Sequence, residues 1–311
     1  MAFRRPVILL WMAALVFGVL LFAGDGRFES RSLDRLWDLG HLPAFALFTY
    51  LLVTHWQPLA RRPFGAQMLA AIGIMAFLGW SVEVIQLYVG RTFSWLDLRK
   101  DLLGVCLGLV FCAPRRKELA RSVHLGLMVL LVAWVMWEAA PAGRALADES
   151  IARRQFPLLS GLETPFERER WSGDAPYFIA RSVHHQGEAS LRAELGTDRY
   201  SGVALEYFPR DWRGYAFLKI DLFNPEPEPI ALTCRVNDRA HDLRGYRYED
   251  RFNRSFQIVS GWQTISIPLE EIRTAPAQRE MQMDDIANLA IFAVRLPRPR
   301  TVYIDNVRLA P

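Results

Sequence analysis

Glu83, Gln86, Arg91, Ser94, Asp97 and Asp101 fall within residues 83–101, a stretch otherwise apolar enough for lipid, and His41 opens the apolar block before them. Two kinds of chemistry suit such a set. Paired acids beside an imidazole can be pushed apart in pKa and work as acid and base. Convergent polar groups just below a membrane surface can also hold a headgroup, because ionisable residues inside a bilayer face the bundle interior and pair. A purely structural role is a third reading, since hydrogen-bonded polar groups join membrane helices at about 0.6 kcal/mol each.

The elements that must position these residues are long apolar blocks. They cover about residues 6–23, 41–56, 66–89, 102–113 and 123–140. A helix needs ~20 residues to cross ~30 Å of hydrocarbon. The second and fourth blocks reach that length only if their polar flanks, 35–40 and 95–101, continue them as helix. The first block sits behind Arg4 and Arg5 like a signal peptide, but no small-residue cleavage site follows and more spans do. Five spans are therefore expected.

Arg4, Arg5, Arg61, Arg62, Arg115, Arg116, Lys117 and Arg121 then share one side, which the positive-inside rule makes cytoplasmic. This predicts a bacterial inner-membrane protein with a cytoplasmic N-terminus and an extracytoplasmic C-terminal domain. Glu83 lies about 10 Å below the outer end of its span. Asp97, Asp101, Gly104 and Gly108 form one helical stripe, acidic at the top, with glycines below that let another helix approach. His41, Arg91 and Arg99 are the nearby partners for the acids.

These residues resemble the VanZ-like membrane family, over about residues 30–113. The pattern is a His heading one span (His41), E-x-x-Q near the end of the next (Glu83, Gln86), then R-x-x-S-x-x-D (Arg91, Ser94, Asp97) and a glycine-bearing helix (Gly104, Gly108). The family usually shows Asp four before the His, where this chain has Trp37 with Asp38 beside it, and Asn four after the last motif Asp, where it has Asp101. The resemblance implies a bacterial envelope protein, some relatives being linked to glycopeptide (teicoplanin) resistance, with no settled biochemical activity.

After residue 141 the grammar changes. Residues 143–162 read as a linker rich in charge and small side chains, separating a transmembrane domain (1–142) from a β-domain (163–311). In the latter, YAFLKIDLF, IALTCRV, WQTISIPL, ANLAIFAV and TVYIDNVRL alternate with period two, and about nine strands fit an antiparallel sandwich. No helix-period segment competes. Of three cysteines, Cys106 and Cys112 lie in the fourth span, leaving Cys234 alone, so this domain must stand on its core.

The phrases DWRGYAFLKIDLFNP, RFNRSFQIVSGWQTISIPLEEI and YIDNVRL resemble jelly-roll, galactose-binding-like carbohydrate-binding modules. Such modules often hold a structural calcium between an acid of the first strand and one of the last; the resemblance places these at Glu167 and Asp305. Two carboxylates fall short of the six to eight oxygens Ca²⁺ takes, so backbone carbonyls would complete the shell. Trp212, Tyr215, Tyr246, Tyr248 and Trp262 are candidates for stacking on sugar. Trp262, in phase with its strand, reads as core, whereas Tyr246 and Tyr248 sit in a charged, exposed segment. Arg244, Arg247, Arg251 and Arg254 read as a solvated face or a surface for an anionic polymer or headgroups.

No H-E-x-x-H, G-x-S-x-G or P-loop pattern occurs, and His184 and His185 fall on an expected strand without a metal partner. Nucleic acid is excluded as a partner outside the membrane. The reading is a noncatalytic envelope factor. Its partners would be a membrane lipid or lipid-linked glycan at the outer polar site, and envelope polysaccharide or peptidoglycan at the β-domain. An intramembrane acid–base enzyme acting on a lipid-linked precursor and an assembly protein of an envelope complex stand as alternatives.

Overall fold

The computed structural model describes residues 30–88 and 94–311 and divides the chain into two compact units, Met1–Leu146 and Ala147–Pro311. The first apolar block and Arg91 lie outside the described residues, as does the side chain of Gln86.

The first unit is helical. Helix α1 (Arg31–Asp38) starts where the Ser30 hydroxyl accepts from the Leu33 amide, and α2 (His41–His55) follows directly. Helix α3 (Phe64–Tyr88) is 25 residues long. Ser94 caps α4 (Trp95–Leu107), its hydroxyl accepting from the Asp97 amide, and a π-helical turn (Gly108–Cys112) continues it. The flank of the fourth block, 95–101, is thus helical, whereas that of the second is helical to Asp38 and turns at Leu39 and Gly40 before α2.

Among the described residues, three helical stretches are long and apolar enough to cross a membrane: Arg31–His55, Phe64–Ile85 and α5 (Arg121–Gln155). The fourth block forms its helix but carries Asp97, Arg99, Lys100 and Asp101 in its first half. Around α5, Leu125, Val129, Leu130, Met136 and Trp137 are exposed.

The glycine stripe packs as its spacing requires. A Cβ on Gly104 would stand 2.7 Å from the Leu42 carbonyl oxygen, and one on Gly108 would stand 2.6 Å from that of Ala46. Only glycine permits α2 and α4 to approach so closely.

The expected linker over 143–162 is corrected. Helix α5 runs on to Gln155, through Pro141, because GRALADESIARR is built largely of strong helix formers. The β-fold then begins at Leu158, ahead of the expected boundary at 163.

The second unit is a sandwich of eleven strands, two more than the alternation suggested. They are β1 (Leu158–Ser160), β2 (Trp171–Gly173), β3 (Tyr177–Ala180), β4 (Ser190–Leu195), β5 (Ser201–Leu205), β6 (Phe217–Asn224), β7 (Ile230–Asp238), β8 (Phe252–Ile258), β9 (Gly261–Pro268), β10 (Ile286–Ala293) and β11 (Arg300–Ala310). One antiparallel sheet runs β3-β4-β11-β6-β9, with β1 on the far part of β11; the other runs β2-β5-β10-β7-β8. Short helices at Arg239–Leu243 and Leu269–Arg273 interrupt the strand pattern.

Inward side chains alternate as the pleat demands: Leu218, Ile220 and Leu222 on β6, Ile265 and Ile267 on β9, Val302 and Ile304 on β11. Cys234 is buried in this core, and burial pushes its thiol up to about 12.

Candidate functional site

In the helical unit the sequence-predicted acids do converge. His41 Nδ1 lies 2.7 Å from Asp101 Oδ1. The other oxygen of Asp101 abuts α3 at Gly79, where a Cβ would come within 2.7 Å of it. Buried Glu83 accepts from the Ser94 amide at 2.8 Å, tying the end of α3 to the start of α4. Glu83 is within electrostatic reach of Asp97, Asp101 and His41.

Lys100, absent from the sequence-based set, is a cation of this cluster among the described residues. Its Nζ lies 3.0 Å from Asp97 Oδ1 and 3.5 Å from Asp38 Oδ2. Its spacing of three from Asp97 on one helix was the available signal. Asp38 therefore reaches the cluster although it stands one place away from the family pattern. Arg99 does not join: it pairs with Glu138 of α5 at 2.8 Å, and Glu138 also accepts from the Trp134 indole. The His41–Asp101 hydrogen bond can orient an imidazole and share a proton, and the surrounding carboxylates favour a cationic or hydroxyl-bearing group.

In the β-unit the two acids of the expected calcium pair, Glu167 and Asp305, have separate hydrogen-bond partners. Glu167 Oε2 accepts from the amides of Gly161 (2.9 Å) and Leu162 (2.7 Å), and Oε1 from the amide and hydroxyl of Thr164. Oxygens facing N–H and O–H donors are not set to ligate a cation. Asp305 has other partners, its Oδ2 accepting from the amides of His185 (2.7 Å) and Gln186 (3.0 Å), while its Oδ1 is buried without a hydrogen-bond partner. Among the described residues, no group of three or more His, Cys, Asp or Glu side chains could hold a metal ion.

The stacking candidates separate as well. Tyr246 and Tyr248 are exposed, packed edge-on against His241 and beneath the Arg251 guanidinium respectively. Trp212 is wholly buried against Phe208, so its rings offer no face to a sugar. Trp262 is not core. Pairing with Phe223 puts it on the outward phase of β9, opposite to Ile265 and Ile267.

That outward phase carries a row unforeseen from sequence. Register places Trp262 beside Phe223, Phe223 beside Tyr303, Tyr303 beside Arg192 and Arg192 beside Phe178, across β9, β6, β11, β4 and β3. Ring centroids are 5.1 Å apart for Trp262 and Phe223, and 5.7 Å for Phe223 and Tyr303. Phe178 is 49% exposed. Adjacent strands are ~4.8 Å apart, so the three contiguous rings span roughly 10 Å.

A polar row runs alongside. Asp221 is fully buried and accepts from His185 Nδ1 (2.9 Å), Asn306 (2.9 Å) and Thr264 (2.7 Å), with Arg308 at 3.3 Å. Burial would raise its carboxyl, but these hydrogen bonds and the Arg308 charge hold it below the usual range. For Asp305 burial wins: its carboxyl is raised despite the backbone donors, and Asp221 adds to the rise. His185 comes from the β3–β4 loop rather than from a strand, and its ring stacks on Trp262 at 5.1 Å and 22°.

No family model and no curated protein matches the chain. Solved structures resemble about half of the chain. An exo-β-agarase is 17% identical, covering 50% of this chain and 24% of its own, with a TM-score of 0.41. A family 11 carbohydrate-binding module from Clostridium thermocellum, in complex with a β-1,3-1,4-mixed-linked tetrasaccharide, is 16% identical over 49% of this chain and 94% of its own, with a TM-score of 0.38. A family 30 carbohydrate-binding module of a cellulosomal cellulase from the same organism is 14% identical over 45% and 91%, with a TM-score of 0.35. This chain thus spans about a quarter of the agarase's length.

Proposed function

We propose that this is a VanZ-like protein of the bacterial cytoplasmic membrane, with five spans and a cytoplasmic N-terminus, displaying a glycan-binding β-unit on the outer side. The observation that carries the glycan reading is the row Trp262–Phe223–Tyr303 on the outward phase of the six-stranded sheet. Aromatic rings set side by side on a rigid sheet are a surface on which pyranose rings stack at little cost in ordering. Membrane insertion is supported by the three apolar helices and the exposed apolar side chains of α5. The cluster around His41, Glu83, Asp97, Lys100 and Asp101 then serves the same envelope role by accommodating a lipid headgroup or the head of a lipid-linked glycan.

The test is binding of the full chain, reconstituted in nanodiscs, to peptidoglycan fragments and to soluble β-glucans. Retained binding in the Trp262→Ala, Tyr303→Ala double variant would remove the row from the account. For the membrane cluster, a photoreactive residue at Gln86 should capture a polyprenyl-linked or phospholipid species identifiable by mass spectrometry. Capture that survives Glu83→Ala with Asp97→Ala counts against the headgroup site. The His41–Asp101 hydrogen bond also supports a second reading, acid–base catalysis on such a lipid. It predicts product formation that Asp101→Asn abolishes in a folded protein.

A further inference from the structure

The β3–β4 loop, residues 181–189, does not stay at the edge where its strands lie. The amides of His185 and Gln186 donate to Asp305 on β11, the His185 imidazole reaches Asp221 on β6, and its ring lies on Trp262 of β9. The loop is a strap across the outward face, and His185 is the point at which it touches the aromatic row.

We infer that His185 is a specificity-determining residue of the glycan site, its Nε2 accepting a hydrogen bond from a hydroxyl of a neutral sugar seated on the adjoining rings. This rests on the glycan reading above. Asp221 is buried and takes its other hydrogen bonds from Asn306 and Thr264, so the ring nitrogen facing it is the donor. A hydrogen bond made by one imidazole nitrogen fixes the role of the other. Neutral His185 therefore carries its proton on Nδ1 and leaves Nε2 as an acceptor. The side chain is 39% exposed, and its parallel stack on Trp262 sets the ring at the end of the row. The imidazole therefore bounds the Trp262 end of the row, with Phe223 and Tyr303 continuing the stacking surface beyond it.

The charges beside the row favour an uncharged ligand. Arg192 pairs with Glu194 at 2.9 Å and Arg308 with Asp221 at 3.3 Å, so neither guanidinium awaits an anion. A hydroxyl read by a fixed acceptor distinguishes sugars that differ only in the direction of that hydroxyl, which stacking alone does poorly.

The experiment measures binding of cellotetraose and mannotetraose, epimers at one hydroxyl per ring, to the full chain in nanodiscs by calorimetry. Wild type, His185→Phe and Tyr303→Ala are compared. His185→Phe keeps an aromatic ring for Trp262 but has no acceptor. The expected result is that wild type prefers one tetrasaccharide, that His185→Phe weakens the better one roughly 3- to 10-fold, and that the preference disappears. Tryptic cleavage after Arg181 reports whether the strap has stayed in place. An affinity loss accompanied by faster cleavage overturns the inference in favour of a structural role, as does unchanged affinity and preference in His185→Phe. If Tyr303→Ala weakens binding while His185→Phe does not, the inference alone fails. If wild type binds neither sugar, or Tyr303→Ala binds as wild type does, the glycan row itself fails and takes the role of His185 with it.

Discussion

Arg170 holds Asp148 in an ion pair closed to solvent: Nε lies 3.0 Å from both carboxylate oxygens, Nη2 lies 2.7 Å from Oδ1, and the two side chains are 0% and 2% exposed. Nη1 donates to the Leu159 carbonyl at 2.9 Å. The last turns of α5 are thereby part of the sandwich. Removing one partner strands a buried charge, at about 3 to 5 kcal/mol. Arg170→Ala should lower the stability of the β-unit by that amount. Arg170→Lys should rescue little, since a single ammonium cannot replace the guanidinium fork. Cys234 gives the readout, being the β-unit's single thiol and buried when folded: its labelling by a thiol-reactive dye should begin at a lower temperature in both variants.

Gly104 and Gly108 give a second prediction. A methyl at either position collides with α2 backbone, so Gly108→Ala should force the helices apart and cost about 1 to 3 kcal/mol. Gly73 has nothing within 4 Å of its would-be Cβ, so Gly73→Ala should be neutral or stabilising by up to ~1 kcal/mol. Thermal unfolding in one detergent, followed by helical circular dichroism, ranks the three proteins. Equal midpoints for Gly108→Ala and Gly73→Ala would contradict the close approach.

The paired acids of the sheet predict opposite responses to pH. The Asp221 carboxyl is held low, so its contribution is complete above the ordinary carboxylate pKa of ~3.9 and is lost as pH falls through its lower folded value. The Asp305 carboxyl is raised. Its contribution is complete below ~3.9 and is lost as pH rises through its higher folded value. Between mildly acidic and neutral pH, Asp305 should therefore erode stability while Asp221 holds constant. Asp305→Asn should flatten that decline, and Asp221→Asn should lower stability at neutral pH while reducing the loss in acid. Near-ultraviolet circular dichroism melts from pH 3 to 8 check both.

The Glu83 carboxylate is the acceptor for the Ser94 amide at the start of α4. Glu83→Ala leaves that donor without its partner, at about 1 to 3 kcal/mol, whereas Glu83→Gln retains an acceptor oxygen. Amide hydrogen exchange at the start of α4 should rise sharply in the first variant and slightly in the second.

Much of this was legible in the letters because strand alternation and helix stripes are local. The strand that carries Cys234 was expected from period two, and the Gly104–Gly108 contact from helical spacing. What failed depended on partners distant in sequence. Trp262 was in phase with an apolar strand, but which phase faces inward is settled by Leu222 and Ile220 across the ladder. His185 was assigned to a strand, and nothing local announces that its loop crosses to β6 and β9. Lys100 went unnoticed because its second partner, Asp38, belongs to another helix.

The break in register on β11 between Asp305 and Arg308, with Asn306 at φ +49°, shifts the strand's phase by one. Val302 and Ile304 face inward before it, Val307 and Leu309 after it. Asn306 thus works like a frameshift in the pleat, the one extra residue that β11 carries opposite β6: were it drawn into regular alternation, Val307 and Leu309 would turn to water and Arg308 into the oily interior. A second residue inserted beside it should expose the same pair, whereas loss of Asn306 should leave Val307 and Leu309 facing the core.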